Sequence, residues 1–566
     1  MSYRSAPLAA SAVCVLALLA SATGAQVGET TLVSVSSSGQ QAQLGAWTAS
    51  ISPDGRFVAF ETHSPDLDPG STALVSQVYL HDRVTGQLAL VSATPAGLGG
   101  SKGSYSPSVS ADGLFVAFFT NGDDLAPGDA NGLADIVVRD LAAGTTSLAS
   151  VSSAGVQADG LPGDCSISSD GRLVAFDSAA ANLVAGDGNG QADVFLHDRL
   201  TGATLRVSVA SDGSQADGES RNPALSLDGQ HVAFESTATN LAPGAGNGAW
   251  NVYVHDVASG ATERVSIPLG GGPLELQADN AGISADGQVV AFQSFSSALV
   301  AGDTNGTKDV FVHDRLTGAT TRVSVSSSGA EGNGLSGSAQ INDFADERTL
   351  SADGRFVVFQ SEAFNLVPGD SNARDDVFVH DRETGFTTRA SLDSAFGQGD
   401  GHSHAPALSA SGRWVAFESN ANDLVDGDST PSISQPDAFL RDRSAWNDLG
   451  SALAGVNGLP AHFAQGSLED GTPVGLLLRL AAPSAPALLL AALDGTPVPF
   501  KGGTLQAFPP LVALPATTTP SGEAVVLGTW PAGVPAGTDL HFQWAIADGA
   551  APQGVALSQA LEAVTP

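Results

Sequence analysis

SADGQVVAFQS at 284–294, followed by DVFVHDR at 309–315 and GATTRVSV at 318–325, is the stretch on which the fold turns. Ser-x-Asp-Gly is turn chemistry: a short carboxylate that bonds its own backbone, then a glycine free to bend. The runs that follow alternate apolar with small or polar residues, are bounded by Gly, Asp and Asn, and have no helical period, so each reads as a strand.

The stretch recurs along the chain. SPDG, SADG, SSDG, SLDG, SADG, SADG and SASG place Asp54, Asp112, Asp170, Asp228, Asp286, Asp353 and Ser411 at equivalent positions, 58 residues apart except for 67 before the sixth. A second marker, HDR or a near variant, places Asp82, Asp140, Asp198, Asp256, Asp314 and Asp381 each 28 residues after its turn, with Asp442 in the seventh copy. Each copy holds four strand-like runs, so the expected fold is all-β: a seven-bladed β-propeller over residues 28–443. The seventh copy ends near Arg443 without a fourth strand, while GETTLVSVSSSG at 28–39 matches GATTRVSVSSSG at 318–329. The N-terminal strand is therefore expected to complete the last blade and close the ring, leaving no unpaired edge there.

The Ser-x-Asp-Gly turn followed by a VAF-type strand and a V-F-V-x-D strand resembles TolB-like propeller repeats, which are similar to WD40-like repeats. The resemblance covers residues 28–443. It implies the fold and leaves function open, since the family includes periplasmic proteins that bind protein partners and the propeller half of some serine peptidases. Those peptidases need an attached hydrolase domain, which the remaining roughly 120 residues cannot hold, and no G-x-S-x-G is present.

Acids outnumber bases 59 to 23, for a net charge of −36, which argues against nucleic acid and anionic membranes as partners. Residues 1–25 carry Arg4, an apolar run and small residues at Ala20, Ala22 and Ala25, the pattern of a secretory signal peptide. The protein is expected to be exported to the periplasm, the cell surface or the medium and to act as a monomer. Beyond the signal only Cys165 remains, so a disulfide cannot brace the chain. The apolar segment at 476–493 is interrupted by Arg479, Pro483 and Pro486 and reads as strands, not a membrane span. Residues 447–566 lose the repeat and alternate strand-like runs with turns, which suggests a small β-sandwich. This part resembles an uncharacterised all-β domain of exported, repeat-bearing bacterial proteins.

Chemistry divides between what repeats and what does not. His81, His197, His255, His313 and His380 precede the marker Asp in five blades, and a residue recurring around a ring cannot converge on one catalytic point. They are expected to be strand-end residues, with each marker Asp accepting N–H bonds in the following turn. No catalytic residue is assigned. The loop before the third strand carries D-x-N-G-x-x-D, intact as Asp129, Asn131, Asp135; Asp187, Asn189, Asp193; Asp303, Asn305, Asp309; and Asp370, Asn372, Asp376. Oxygen ligands on a curled loop suit calcium, whereas an Asx-turn explains the same spacing without metal.

Three departures from the repeat stand out. INDFADERT at 341–349 adds Asp343, Asp346 and Glu347; GQGDGHSHAP at 397–406 sets His402 and His404 near Asp400; and Trp47 and Trp250 lie in rim connections. The reading is a non-enzymatic exported scaffold presenting an acidic rim to a protein or glycan, with calcium as a candidate stabiliser. The alternative, a glycan hydrolase or lyase, needs a pair of acids converging on the central channel.

Overall fold

The computed structural model describes residues 29–443, apart from 69–73, 245–246, 338–347, 395–396 and 429–434, and from residue 446 onward the strands named below with their short flanks. The expected signal peptide, residues 1–25, lies outside the described residues. The chain divides into two compact units, one formed by 30–393 and 397–441, the other by 1–29, 394–396 and 442–566. Among the described residues no helix is long and apolar enough to cross a membrane.

The larger unit is the propeller. Blade 5 shows the plan: Ala278–Ile283, Val289–Ser294, Asp309–Asp314 and Ala319–Arg322 form one antiparallel sheet in sequence order. Blades 1 to 4 repeat it, starting at Trp47, Ser104, Pro162 and Ser220. Blade 6 has Phe356–Ser361, Asp376–Asp381 and Phe386–Arg389, with Leu350 bridging Val357 where a first strand would run. Blade 7 has Ser403–Leu408, Trp414–Ser419 and Asp437–Asp442, and its fourth strand is Thr30–Leu32, antiparallel with Thr30 opposite Arg441 and Leu32 opposite Phe439. The N-terminal strand closes the ring as the repeat register predicts. First strands of neighbouring blades approach one another, so they line the central channel.

The VAF and VFV patterns acquire a physical meaning here. Phe292 and Phe311 face each other across the middle strands of blade 5 and stack with centroids 5.9 Å apart. The same pair recurs as Phe60–Tyr79, Phe176–Phe195, Phe234–Tyr253, Phe359–Phe378 and Phe417–Phe439. Such a pair contributes roughly 0.5–1.5 kcal/mol beyond its burial. The cores lie between blades: one joins Ile136 and Val138 of blade 2 to Ile167 and Phe176 of blade 3, and another joins Val33 and Leu440 to Ile51 and Phe60. Because each sheet buries both faces against neighbours, a blade has no core of its own.

The turn glycines make that packing possible. Gly55 has φ of 74°, and a Cβ there would collide with the Trp414 ring of blade 7, on which the Arg83 guanidinium also sits at 3.8 Å. Each described first strand carries a register shift, as between Tyr105 and Ser108, and residues such as Ser106 and Asn222 take positive φ of 49° and 50° at that bulge.

The smaller unit is also all strand among its described residues. Trp446–Gly450, Ala560–Val564, Asp539–Ala547, Pro486–Ala492 and Val512–Thr517 form an antiparallel sheet, with Val555–Leu557 paired to Asp539–Ala547. Ala461–Gln465, Pro473–Arg479 and Ala524–Thr529 form a second sheet, and Val498–Phe500 pairs with Gly503–Leu505. Trp544 and Ile546 are fully buried in this unit. The expected sandwich packing of the two sheets falls mostly on side chains outside the described residues.

Candidate functional site

The two ends of every blade do different work. At one rim lie the Ser-x-Asp-Gly and marker-Asp turns. Ser284 Oγ donates to Asp286 Oδ1 (2.8 Å), which also accepts the Gln288 N–H (3.0 Å), while the Val289 N–H donates to Ser284 Oγ (2.9 Å). The marker Asp does accept turn N–H groups, as Asp314 does from Thr317 at 2.9 Å. In blades 1, 3 and 6 it is also gripped by both arms of an arginine: Arg56 on Asp82, Arg172 on Asp198 and Arg355 on Asp381, each at 2.9 and 2.7 Å. The guanidinium bonds hold the Asp82 and Asp198 carboxyls well below the usual carboxylate range.

Three of the five repeated histidines are joints between blades, beyond the strand-end role that the sequence suggests; His313 bonds Thr320, and His81, opposite Leu88, has no hydrogen-bond partner at Nδ1 among the described residues. His197 Nδ1 lies 2.9 Å from Thr204 Oγ1, which donates to the Val151 carbonyl in the connection leaving the previous blade. With the hydroxyl proton so committed, the imidazole supplies the N–H in its own bond. His255–Thr262–Val209 and His380–Thr387–Val325 repeat the relay. Where arginine replaces histidine, Arg139 bonds Thr146 and the Ala93 carbonyl, and Arg441 bonds Thr30 and the Leu392 carbonyl. Burial lowers all five histidines from their ordinary value, His380 to about 4, so they stay neutral.

The acidic loops occupy the opposite rim. Asn131, Asn189, Asn305 and Asn372 each donate to a carbonyl in the connection to the next blade (Ala158, Ala216, Gly332 and Gly399), which places loops and connections on one face. Their amide oxygens accept the N–H two residues on, from Leu133, Gln191, Thr307 and Arg374, the Asx-turn expected from the spacing. The last Asp of each loop is buried and accepts a serine hydroxyl: Asp135 from Ser150, Asp193 from Ser208, Asp309 from Ser324 and Asp376 from Ser391.

In blades 3, 5 and 6 an arginine from the fourth strand lies between the two loop carboxylates. Arg206 is 3.5 Å from Asp187 and 3.3 Å from Asp193; Arg322 is 3.3 Å from both Asp303 and Asp309; Arg389 is 3.1 Å from Asp370 and 3.4 Å from Asp376. Blade 4, with Asn251 in place of the last acid, keeps Arg264, which bonds the carbonyls of Gly244 and Gly272. Blade 2 has Leu148 at that place.

A second arrangement on this rim escaped the sequence reading. Where the first and second strands face each other at the channel mouth, the blades differ: Trp47 opposite Glu61, Tyr105 opposite Phe119, Arg221 opposite Glu235, Asp279 opposite Gln293 and His404 opposite Glu418. The signal was present in the strings FET, FFT, FDS, FES and FQS, whose middle letter varies inside an otherwise constant strand. These side chains also join blades. Glu61, Asp177, Glu235 and Gln360 accept the N–H of Ser106, Asn222, Asn280 and Ala405, the bulge residues of the next blade, at 3.1, 3.2, 2.6 and 2.9 Å.

Burial pushes Glu61 up to about 8, Glu235 to about 7 and Asp177 to about 6. Ion pairs bind the rest of the mouth: Arg221–Glu235 at 3.2 Å, Lys308–Asp279 at 2.8 Å and His404–Glu418 at 3.4 Å. At the far end Arg348 reaches the carbonyls of Ile51 and Val109, tying the approach to blade 6 to blades 1 and 2.

The remaining candidates resolve separately. His402 faces Asp375 and Arg374 on the loop side, while His404 pairs with Glu418, so the two histidines do not converge on one ion. Among the described residues no group of three His, Cys, Asp or Glu is placed to hold a metal. Trp250 lies under the Arg221 guanidinium at 3.9 Å and Trp47 packs edge-on to His63 at 5.4 Å, so both serve as anchors of the rim. Asp343, Asp346 and Glu347 lie outside the described residues.

No family model and no curated protein matches the chain. Similar solved structures include one described as a TolB of Agrobacterium tumefaciens, 16% identical, with a TM-score of 0.32, over 53% of this chain and 89% of that one. Others are an acylaminoacyl peptidase of Pyrococcus horikoshii, 10% identical with a TM-score of 0.40, covering 77% of this chain, and a GH74 xyloglucanase of Xanthomonas campestris, 12% identical with a TM-score of 0.38, covering 80%. The present chain spans 57% and 59% of the lengths of those two.

Proposed function

We propose that the protein is an exported, non-enzymatic binding scaffold that takes a partner protein with a basic surface on its loop-bearing rim, over the channel mouth. The observation that carries this reading is the separation of roles between the rims. The residues that break the repeat gather at the loop-bearing end, where exposed Asp159, Asp217, Glu275, Glu362 and Asp426 are spread around several blades. Exposed Lys102 there is already paired with Asp123. Arginines such as Arg56, Arg172 and Arg355 belong to the other rim and are held in carboxylate pairs. Arg374 is also exposed there, but acids outnumber it, and a predominantly negative rigid face steers basic partners.

The enzyme alternative needs two acids with unequal environments and open access to a substrate. Glu61, Asp177 and Glu235 are instead consumed by N–H bonds to the next blade, and Glu418 faces His404. The test is affinity capture from the organism's own exported fraction, using wild-type protein and a variant with Glu275, Glu362 and Asp426 changed to lysine. The scaffold reading expects salt-sensitive capture of a defined protein that the variant loses. Equal capture by both, or polysaccharide cleavage that disappears in Glu61→Gln and Glu418→Gln, would overturn it.

A further inference from the structure

The fourth-strand position that contacts the acidic loop obeys a charge rule. Blades 3, 5 and 6 pair two loop acids with one arginine, and blade 4 pairs Arg264 with carbonyls. Blade 1 has neither partner: Leu90 stands on the fourth strand and Gln77 replaces the last acid, its amide bonded to Ser92 and the Gly100 carbonyl. Blade 2 breaks the rule, because both acids are kept and the arginine is replaced by Leu148, which packs into the core between blades 1 and 2. The blade 7 loop lies largely outside the described residues.

The consequence is visible atom by atom. Asp135 is fully buried and its Oδ1 accepts Ser150, but Oδ2, the atom that meets guanidinium in Asp193, Asp309 and Asp376, accepts no hydrogen bond of normal geometry among the described residues, although the Asn131 amide lies near the carboxyl. Asp129 Oδ2 is likewise buried and unbonded, while its Oδ1 accepts Gln157 at 3.1 Å. Gln215 and Gln398 bridge both acids of their loops, whereas the hydrogen bond from Gln157 reaches only Asp129. Asp123 adds a further negative charge nearby, itself paired with Lys102. Lys102 acts on Asp129 only from beyond ion-pair distance, so among the described residues the two carboxylates face each other with no guanidinium or ammonium bonded to either. Leaving buried carboxylate oxygens in that condition is costly.

We infer that blade 2 holds a hard divalent cation between Asp129 and Asp135, in the place that a guanidinium takes in blades 3, 5 and 6. Two carboxylates with water completing the shell suit magnesium or calcium, both of which prefer oxygen ligands. The arginine-bearing loops carry their own positive charge and need no ion, so four candidate loops reduce to one site. The ion is structural: it neutralises the loop and keeps blade 2 in the geometry of its neighbours.

The test uses the full chain at pH 7.5, comparing its melting temperature in chelator with that in millimolar calcium or magnesium, for wild type, Leu148→Arg and Asp135→Asn. Wild type should gain roughly 2–5 °C with one of the cations. Leu148→Arg installs the arginine of the other blades and should be indifferent to both cations, and Asp135→Asn, which keeps Leu148 packed, should be indifferent too. Titration calorimetry with the same salts should show one site in wild type and none in either variant. No cation response in wild type, or a response that persists in Asp135→Asn, overturns the inference.

Discussion

The turn-bearing and loop-bearing rims are made by the same seven units, yet one is nearly uniform and the other differs blade by blade. At the turns, the Ser and Asp side chains are satisfied within a few residues, as in Ser284–Asp286–Val289, and the bonds that pass to the next blade are made by backbone groups, which any residue supplies, as from the Ala285 N–H to the Ala352 carbonyl. At the channel mouth each polar group finds its partner in another strand or the next blade, as Glu61 does in Ser106. Local closure favours repetition, and non-local closure tolerates variation wherever the partner changes with it. That tolerance is where a binding surface can be written without disturbing the scaffold.

The largest break in this comparison comes from the closure strand. Removing residues 28–39 strips blade 7 of Thr30–Leu32 and takes fully buried Val33 from the core it shares with blade 1. The expected loss is about 4 kcal/mol or more, read by urea unfolding. Next is Gly55→Ala, which sets a methyl against Trp414 at positive φ and should cost about 2–3 kcal/mol, whereas Gly144→Ala, at φ of 67° but with open space around it, should cost less. Thr204→Val should cost about 1–2 kcal/mol by leaving His197 and the Val151 carbonyl unpaired inside a blade joint. A joint that tolerates valine would mean the relay is incidental.

The last effect sharpens the contrast at the mouth and depends on pH. Glu61→Gln reproduces Gln360, whose Oε1 accepts the Ala405 N–H as Glu61 accepts that of Ser106. In wild type burial holds the Glu61 proton on the folded state up to about pH 8, while the unfolded chain releases it in the ordinary glutamate range. Wild-type stability therefore falls as pH rises through that window, and the variant escapes the loss. The two should be nearly equal at pH 4, with the glutamine form ahead at pH 8.5. Parallel melting curves across the whole range would mean that Glu61 is solvated.

Much of this molecule is legible in its letters because repetition multiplies a weak signal. One Ser-x-Asp-Gly is a turn; six in register with SASG as the seventh, and with the fourth strand missing at one end and found at the other, define a closed ring. The marker aspartates and the Asx-turn role of Asn131 and its equivalents follow from the same local chemistry. The histidines were legible as structural but not as inter-blade relays, because Val151 and Thr204 are 53 residues apart. The channel-mouth ring was hidden for a related reason: Glu61 and Ser106 lie 45 residues apart, and only the curvature of the ring brings them together.

The amino-acid sequence by itself determined the number of blades, their strand order and the way the ring closes, since those depend on periodicity and on turns that bond within a few residues. Only the tertiary structure decided that GDTNGTKD at 302–309 has the Arg322 guanidinium between its two acids, and that its counterpart at 128–135 has Leu148 at that place, with two buried oxygens unbonded. The physical reason is that charge compensation is set by distance in space, and the fourth strand reaches the loop only once the blade has formed.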